Sequence, residues 1–387
     1  MPMKWMLVAM AGVWLIALSA PADTLTLTDN REFEGKVVSK DSASVVFDVQ
    51  KGRSSLRMTF KANEVRSITL GPVATPTATP TPAAPTGPTY FVIPVHEMIG
   101  MYVTAAQFEQ ALKDVERLKP TVVVLEVDSG GGSTEEAGKI IDLISHAKGV
   151  RFVAYVKKAF SAAAIISLSC KEIYLEKGGT FGGAVSFAMT ATGPADVGEK
   201  FQSIWRAECR SAAELGGHQT LLAEGMVDKE IDIQIVSEGG KPSVKEGVGP
   251  VMLKRKGKIL TMTAQESLDC GLAGGIAESY DDLGQKLGVG KWTKPSKSAE
   301  EAFERHFAQI KSAKDRGEAL MATIRDCDMK AAMASKREDA IRGLNQAIQA
   351  IKGLQDLGKQ FPELHVPEKN MEEAIRSREA QKEALKR

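Results

Sequence analysis

Three stretches decide the fold: Val122-Val-Val-Leu-Glu-Val-Asp-Ser-Gly-Gly-Gly132, Phe152-Val-Ala-Tyr-Val156 running on to Ala159-Phe-Ser-Ala-Ala-Ala164, and Glu172-Ile-Tyr-Leu175 running on to Gly178-Gly-Thr-Phe-Gly-Gly183. Each is an apolar run that ends in small, flexible residues. A strand feeding a glycine-rich turn exposes backbone N–H groups, as anion sites require. A strand feeding a lone serine at the start of an apolar helix presents a nucleophile on a tight turn. Together they imply acyl transfer, with a serine and an oxyanion hole supplied by two different turns.

Working outward, the apolar periodicity alternates between strand and helix. Strands are expected over 90–95, 122–127, 152–156 and 173–175, and helices over 104–118, 134–146 and 162–169. In the first helix Phe108, Leu112, Val115 and Leu118 recur at helical spacing. Such alternation predicts an α/β domain with a largely parallel sheet covered by helices. A further helix is expected over 199–214. Residues 239–258, rich in Gly and Lys, predict a hairpin or mobile insert. Residues 260–277 predict a helix ended by Gly271 and then a short strand, with Thr263 and Glu266 at capping-box spacing.

The flanks differ in character. Residues 1–22 carry one charge, Lys4, then the apolar run from Met6 to Leu18 and Ala20-Pro21-Ala22. That is the pattern of a secretory signal peptide, and the run is short of the ~20 residues of a spanning helix. The expected location is therefore periplasmic or cell-envelope. Residues 23–71 hold short β-rich runs separated by turns, which predicts a small SH3-like β-barrel. Residues 72–88 read PVATPTATPTPAAPTGP, an extended proline-rich spacer. Residues 89–295 form the α/β domain. Residues 296–387 are rich in Ala, Glu, Lys and Arg, with Ile341, Leu344, Ile348 and Ile351 at three-four spacing. They predict a helical tail broken at Pro362 and Pro367, packing on itself or contacting a partner.

Composition narrows the function. With 43% hydrophobic and 26% charged residues and a formal net charge of +1, nothing argues for nucleic acid or an acidic membrane surface. Cys170, Cys209, Cys270 and Cys327 are far apart and lack zinc-site spacing. Neither a metal nor a cofactor is expected, and Cys170 is expected to be a buried thiol.

At Asp128-Ser-Gly-Gly-Gly132, Phe160-Ser-Ala-Ala163, Gly178 to Gly183 and Leu260 to Ala277 the chain resembles the Clp-protease/crotonase superfold. It is most similar to NfeD-type, ClpP-class serine proteases and more distantly similar to signal peptide peptidase A. The resemblance covers about half the chain. It implies a spiral of ββα units, a homo-oligomer, and a peptide or protein substrate, including hydrophobic segments. It further implies Ser161 as nucleophile and the N–H groups of Gly132 and Ala162 as oxyanion hole, on a turn supported by Gly130 and Gly131. Where the family has proline, this chain has Gly130; where the family's serine is flanked by Ala and Gly, it has Phe160 and Ala163. No histidine follows Ser161 at the Clp-peptidase separation, so the resemblance points to a Ser–Lys dyad with Lys200, which a floor of Phe201 and a partner subunit would desolvate. Lys157 and Lys158 read as surface charges, and Asp128 as a turn-stabilising carboxylate. Two other readings remain open on sequence: an inactive scaffold or binding protein of the cell envelope, and an acyl-CoA enzyme on the same turns. Export argues against the latter.

Overall fold

The computed structural model describes residues 23–40, 44–51, 54–69, 87–190, 193–195 and 197–387. The expected signal peptide and nearly all of the proline-rich spacer lie outside the described residues. The chain divides into two compact units, Met1–Ala84 and Pro85–Arg387.

In the first unit β1 (Asp23–Leu27), β2 (Glu32–Lys40), β3 (Ser44–Lys51), β4 (Ser54–Lys61) and β5 (Val65–Thr69) form an antiparallel sheet in the order β4-β3-β2-β1-β5. Alternation sends Leu25, Leu27, Val45 and Phe47 to one side, where they bury against Phe60.

In the second unit, β6 (Tyr90–Ile99), α1 (Ala105–Leu118), β7 (Val122–Gly132), α2 (Thr134–His146), β8 (Phe152–Phe160), α3 (Ala162–Leu168) and β9 (Glu172–Gly182) follow one another, and the four strands pair in parallel. Every strand runs several residues past its apolar stretch. Each pairing has a register shift partway along, between His96 and Met98, Val127 and Asp128, and Val156 and Lys158. A bulge bends a strand and strengthens its twist. Each long strand is thus two β segments joined at a bend, followed by a helix, which is how the expected ββα unit is built. The glycine runs belong to the second segments rather than to free turns.

One face of the sheet, with Phe91, Ile93, Val95, Val123, Leu125 and Val127, buries against α1–α3. The other, with Val122, Val124, Tyr155 and Tyr174, buries against Trp292 and Leu283. Two-sided burial explains the near-continuous apolar runs. Beyond β9 come β10 (Ala188–Thr190), β11 (Gly193–Ala195), α4 (Glu199–Gly216) and α5 (Thr220–Val227). The insert expected over 239–258 belongs to a small antiparallel sheet of β12 (Ile233–Glu238), β13 (Lys241–Glu246) and β14 (Met252–Lys254). The helix expected from Leu260 begins only at α6 (Ala264–Asp269), because β15 (Thr261–Thr263) pairs antiparallel with the end of β9. Its Thr263–Glu266 capping box is present. The short β16 (Gly275–Ile276) adds to β9 in parallel and leads to α7 (Tyr280–Lys286).

The tail is three helices, α8 (Ser298–Met333), α9 (Arg337–Gln360) and α10 (Glu368–Lys386). Leu344, Ile348 and Ile351 are buried along the α9 seam. The start of α8 is tied to the α/β domain: Ser298 Oγ donates to Asp114 at 2.6 Å, His306 Nε2 meets the Met101 carbonyl at 3.1 Å, and Phe303 joins the main core. All four cysteines are free and buried.

Candidate active site

Ser161 joins β8 to α3 with φ 54° and ψ −131°, a backbone state that side chains with a Cβ rarely adopt. Its N–H is shared between the carbonyls of Gly182 and Gly183, each at 3.1 Å, at the end of the neighbouring strand. Its carbonyl accepts from the N–H groups of Ala164 and Ile165. The backbone is thus held on both sides. The hydroxyl does not cap α3, although a serine preceding a helix commonly does so. With φ positive, the side chain is turned away from the helix start and toward the end of β7.

There it meets Gly131. A Cβ on Gly131 would lie 2.5 Å from Ser161 Cβ, 2.8 Å from the Phe160 carbonyl and 3.1 Å from the Ala162 nitrogen. Gly131 also has φ +98°. A side chain here would fill the space beside both the serine and the Ala162 N–H. Gly132, at φ +152°, lies against Ile99, whose carbonyl would be 2.1 Å from an added Cβ. Gly130 has open space around it, so a side chain there would meet no close neighbour. Buried Ser129 holds this loop: its hydroxyl donates to the Glu97 carbonyl and accepts from the Gly131 N–H at 3.0 Å. Glu97 is itself at φ 64°.

A cleft of about 900 Å3 opens over Ser161. Gly130, Gly131 and Gly132 form part of its wall, with Asp128, Lys158, Val185 and Phe187. Phe160 does not line it, and Ala163, in the first turn of α3, is fully buried. Asp128 does more than brace a turn: it pairs with Lys157 at 3.0 Å and Lys158 at 3.3 Å. Burial pushes its carboxyl up, but the hydrogen bonds from the two lysines outweigh this and hold it below its ordinary range. Lys158 is thus an exposed charge that also lines the cleft. The bulge after Val156 turns it there, and local periodicity carries no sign of such a bulge. His365 reaches the same cleft from the tail, a long-range placement that no local pattern encodes.

Lys200 stands on the first turn of α4 and is exposed. It is not among the residues lining the Ser161 cleft. Phe201 is 61% exposed and is likewise not among the residues lining that cleft. The cause is the anchor of α4: Trp205 is buried and donates to the Ala184 carbonyl at 2.6 Å, with Cys209 and Ala212 below it. The first turn precedes this anchor in the helix and holds none of its buried residues. It remains tied to the cleft wall, since Gln202 Nε2 donates to the Ser186 carbonyl at 2.8 Å and Ser186 lines the cleft.

Beside the cleft, Glu126 takes a bond from His96 Nε2 at 3.2 Å and one from the Tyr280 hydroxyl at 2.8 Å. The His96 bond draws the carboxyl below its ordinary value of 4.5; burial opposes this and the Tyr280 bond adds to it.

A family model described as "NfeD1b, N-terminal domain" matches residues 89–293. The "Membrane protein NfeD1b" of Bacillus subtilis (strain 168) is 30% identical over 204 residues, which are 52% of this chain and 42% of that protein. The match thus spans less than half of the relative's length. Among solved structures, a lysine-to-alanine mutant of the 1510-N membrane-bound stomatin-specific protease in complex with a substrate peptide is 16% identical, covering 57% of this chain and 99% of that one, with a TM-score of 0.44. The 1510-N membrane protease of Pyrococcus horikoshii, specific for a stomatin homolog, is 18% identical over 55% of this chain and 96% of its own, with a TM-score of 0.37. The ClpP protease catalytic domain of Plasmodium falciparum is 12% identical over 49% and 86%, with a TM-score of 0.32.

Two outcomes test this geometry. Gly131→Ala should cost about 1–3 kcal/mol in urea unfolding, from strain and the clash with Ser161, while Gly130→Ala should stay within ~0.5 kcal/mol of the parent. Equal effects would contradict the close approach. Glu126 contributes stability that is present above pH 4.5 and is lost as pH falls through its lower folded value. Glu126→Gln should therefore flatten the acid limb of the stability curve below pH 4.5; an unchanged limb would contradict the pairing.

Proposed function

The chain belongs to the NfeD1b N-terminal-domain family, and from that membership and the Ser161 turn we propose that it is an exported serine endopeptidase of the cell envelope. The observation that carries the reading is Ser161 itself. It has a constrained backbone with positive φ, a hydroxyl not used to cap its helix, and a glycine with no side chain facing it. Such strain persists where the surrounding structure enforces it, and it clusters at functional sites.

In this reading the Ser161 hydroxyl attacks a peptide carbonyl and its proton passes to the Lys200 amine. The N–H groups of Gly132 and Ala162 take the oxyanion. Lys200 returns the proton to the leaving amine, and water releases the acyl group from Ser161. Lys200 must be desolvated to act as a base. The bond from Gln202 to the Ser186 carbonyl ties the first turn of α4 to the cleft wall, which supports this placement of the base. Exposed Phe201 and Ile204, in the first two turns of α4, suit cover by a second copy of the chain, so the active form is a homo-oligomer. Lys158 is the competing base, because it lines the cleft; its ion pair with Asp128 competes for its ammonium.

Hydrolysis of an unstructured peptide by the full chain tests this. Ser161→Ala should lose at least about 10³-fold in kcat/KM. Lys200→Ala and Lys200→Arg should both fail, since guanidinium stays protonated. Lys158→Ala should retain activity. Loss in Lys158→Ala with activity retained in Lys200→Ala would reassign the base. No hydrolysis by the parent chain with any unstructured peptide would leave the scaffold reading in its place.

A further inference from the structure

A second cavity, of about 370 Å3, adjoins the Ser161 cleft and shares Glu97 with it. It lies where the start of α8 packs against β6, with Glu126 of β7 in its wall. Its polar lining is one-sided: Glu97, Glu126, Glu300 and Glu304 stand against a single imidazole, His96. Part of that charge is neutralised from within. Glu126 has His96 and Tyr280 as partners, and one oxygen of Glu300 takes Lys294 at 2.7 Å. The remainder is not. Glu97 and Glu304 carry it, while Glu300, whose single charge Lys294 already meets, keeps its second oxygen buried without a hydrogen-bond partner. No partner meets the side chains of Glu97 and Glu304 among the described residues. A buried carboxylate oxygen without a donor is costly.

The rest of the lining is aromatic. Phe303 is buried, and Tyr102 and Phe307 face each other with ring centroids 4.8 Å apart. Carboxylates with aromatic walls suit a cation on an apolar stem: the rings cover the stem and attract the charge, and the carboxylates accept its hydrogens. Anionic ligands are repelled. A metal ion does not fit, since no group of three or more His, Cys, Asp or Glu among the described residues is arranged to hold one. The volume falls within the range of ligand pockets, ~300–1,000 Å3.

We infer that this cavity takes an arginine or lysine side chain of a peptide lying across Ser161. Glu97 connects the two spaces. It lines both, and its carbonyl holds Ser129, which holds the Gly131 N–H. The basic residue therefore sits close to the scissile bond. The identity of the ligand as substrate rests on the peptidase reading, but its binding does not require catalysis.

The test uses the full chain carrying Ser161→Ala and a set of labelled unstructured decapeptides. One arginine is moved through each position, and every peptide is paired with a citrulline counterpart of the same shape without the charge. At one position or two adjacent positions the arginine peptide should bind at least about tenfold more tightly than its citrulline partner. Exposed Glu304→Gln and Glu97→Gln should each reduce that ratio, and the double variant should bring it close to one without changing citrulline binding. Equal affinities at every position, or no binding of either series up to millimolar peptide, would overturn the inference, as would a preference that survives the double variant. The two readings fail separately. Arginine preference in a parent chain that never hydrolyses keeps the pocket and rejects the peptidase. Hydrolysis without any basic preference keeps the peptidase and rejects the pocket.

Discussion

The close approach of Gly131 to Ser161 is the constraint on which the candidate site depends. Three strand ends meet there. β7 contributes a glycine with no side chain, β8 contributes the serine, and β9 contributes the two carbonyls that accept the serine N–H. Remove the glycine's freedom at φ +98° and the β7 end must retreat, opening the ladder on both sides. Remove the Gly182 and Gly183 carbonyls and the positive φ of Ser161 has nothing to hold it. The parallel sheet is what brings these ends into register, and its two buried faces give it the rigidity to store the strain.

The same bends that join the two β segments of each unit aim the polar side chains. Past the register shifts, Asp128, Lys158 and Ser161 gather on one cleft while Glu126 and His96 stay just behind them. The site is thus divided into a reacting space over Ser161 and an acidic, aromatic space beside it, with Glu97 as their common wall. The tail completes both. α8 closes the acidic cavity with Phe303 and Glu300, and His365 reaches the cleft. The start of α8 and His365 are therefore part of the site's walls.

Much of this was legible in the sequence. Apolar runs of five or six residues alternating with helical spacing identified β6 to β9 and α1 to α3, and the order of four motifs identified the family resemblance that the match over 89–293 bears out. Strand ends were not legible, because Asp-Ser-Gly-Gly-Gly and Lys-Lys-Ala-Phe break the apolar pattern while the backbone goes on pairing. Lys158 is exposed, as its reading as a surface charge implies, but its place on the cleft wall is hidden for that reason: a bulge changes the side to which a residue points, and bulges leave little trace in composition. Lys200 was located correctly at a helix start, but its exposure depends on how far Trp205 sits below it, a packing distance. Glu300, Glu304 and His365 come from the far end of the chain and could be joined to Ser161 only by tertiary structure.

The central claim is that Ser161 is presented as a reactive nucleophile. Intact-mass measurement of the full chain after exposure to a fluorophosphonate probe tests it most directly. The account predicts one adduct per chain, mapped to Ser161 by peptide sequencing, absent in Ser161→Ala and strongly slowed in Gly131→Ala. A chain that folds normally yet carries no adduct over a broad pH range, or one labelled at another serine, would contradict it.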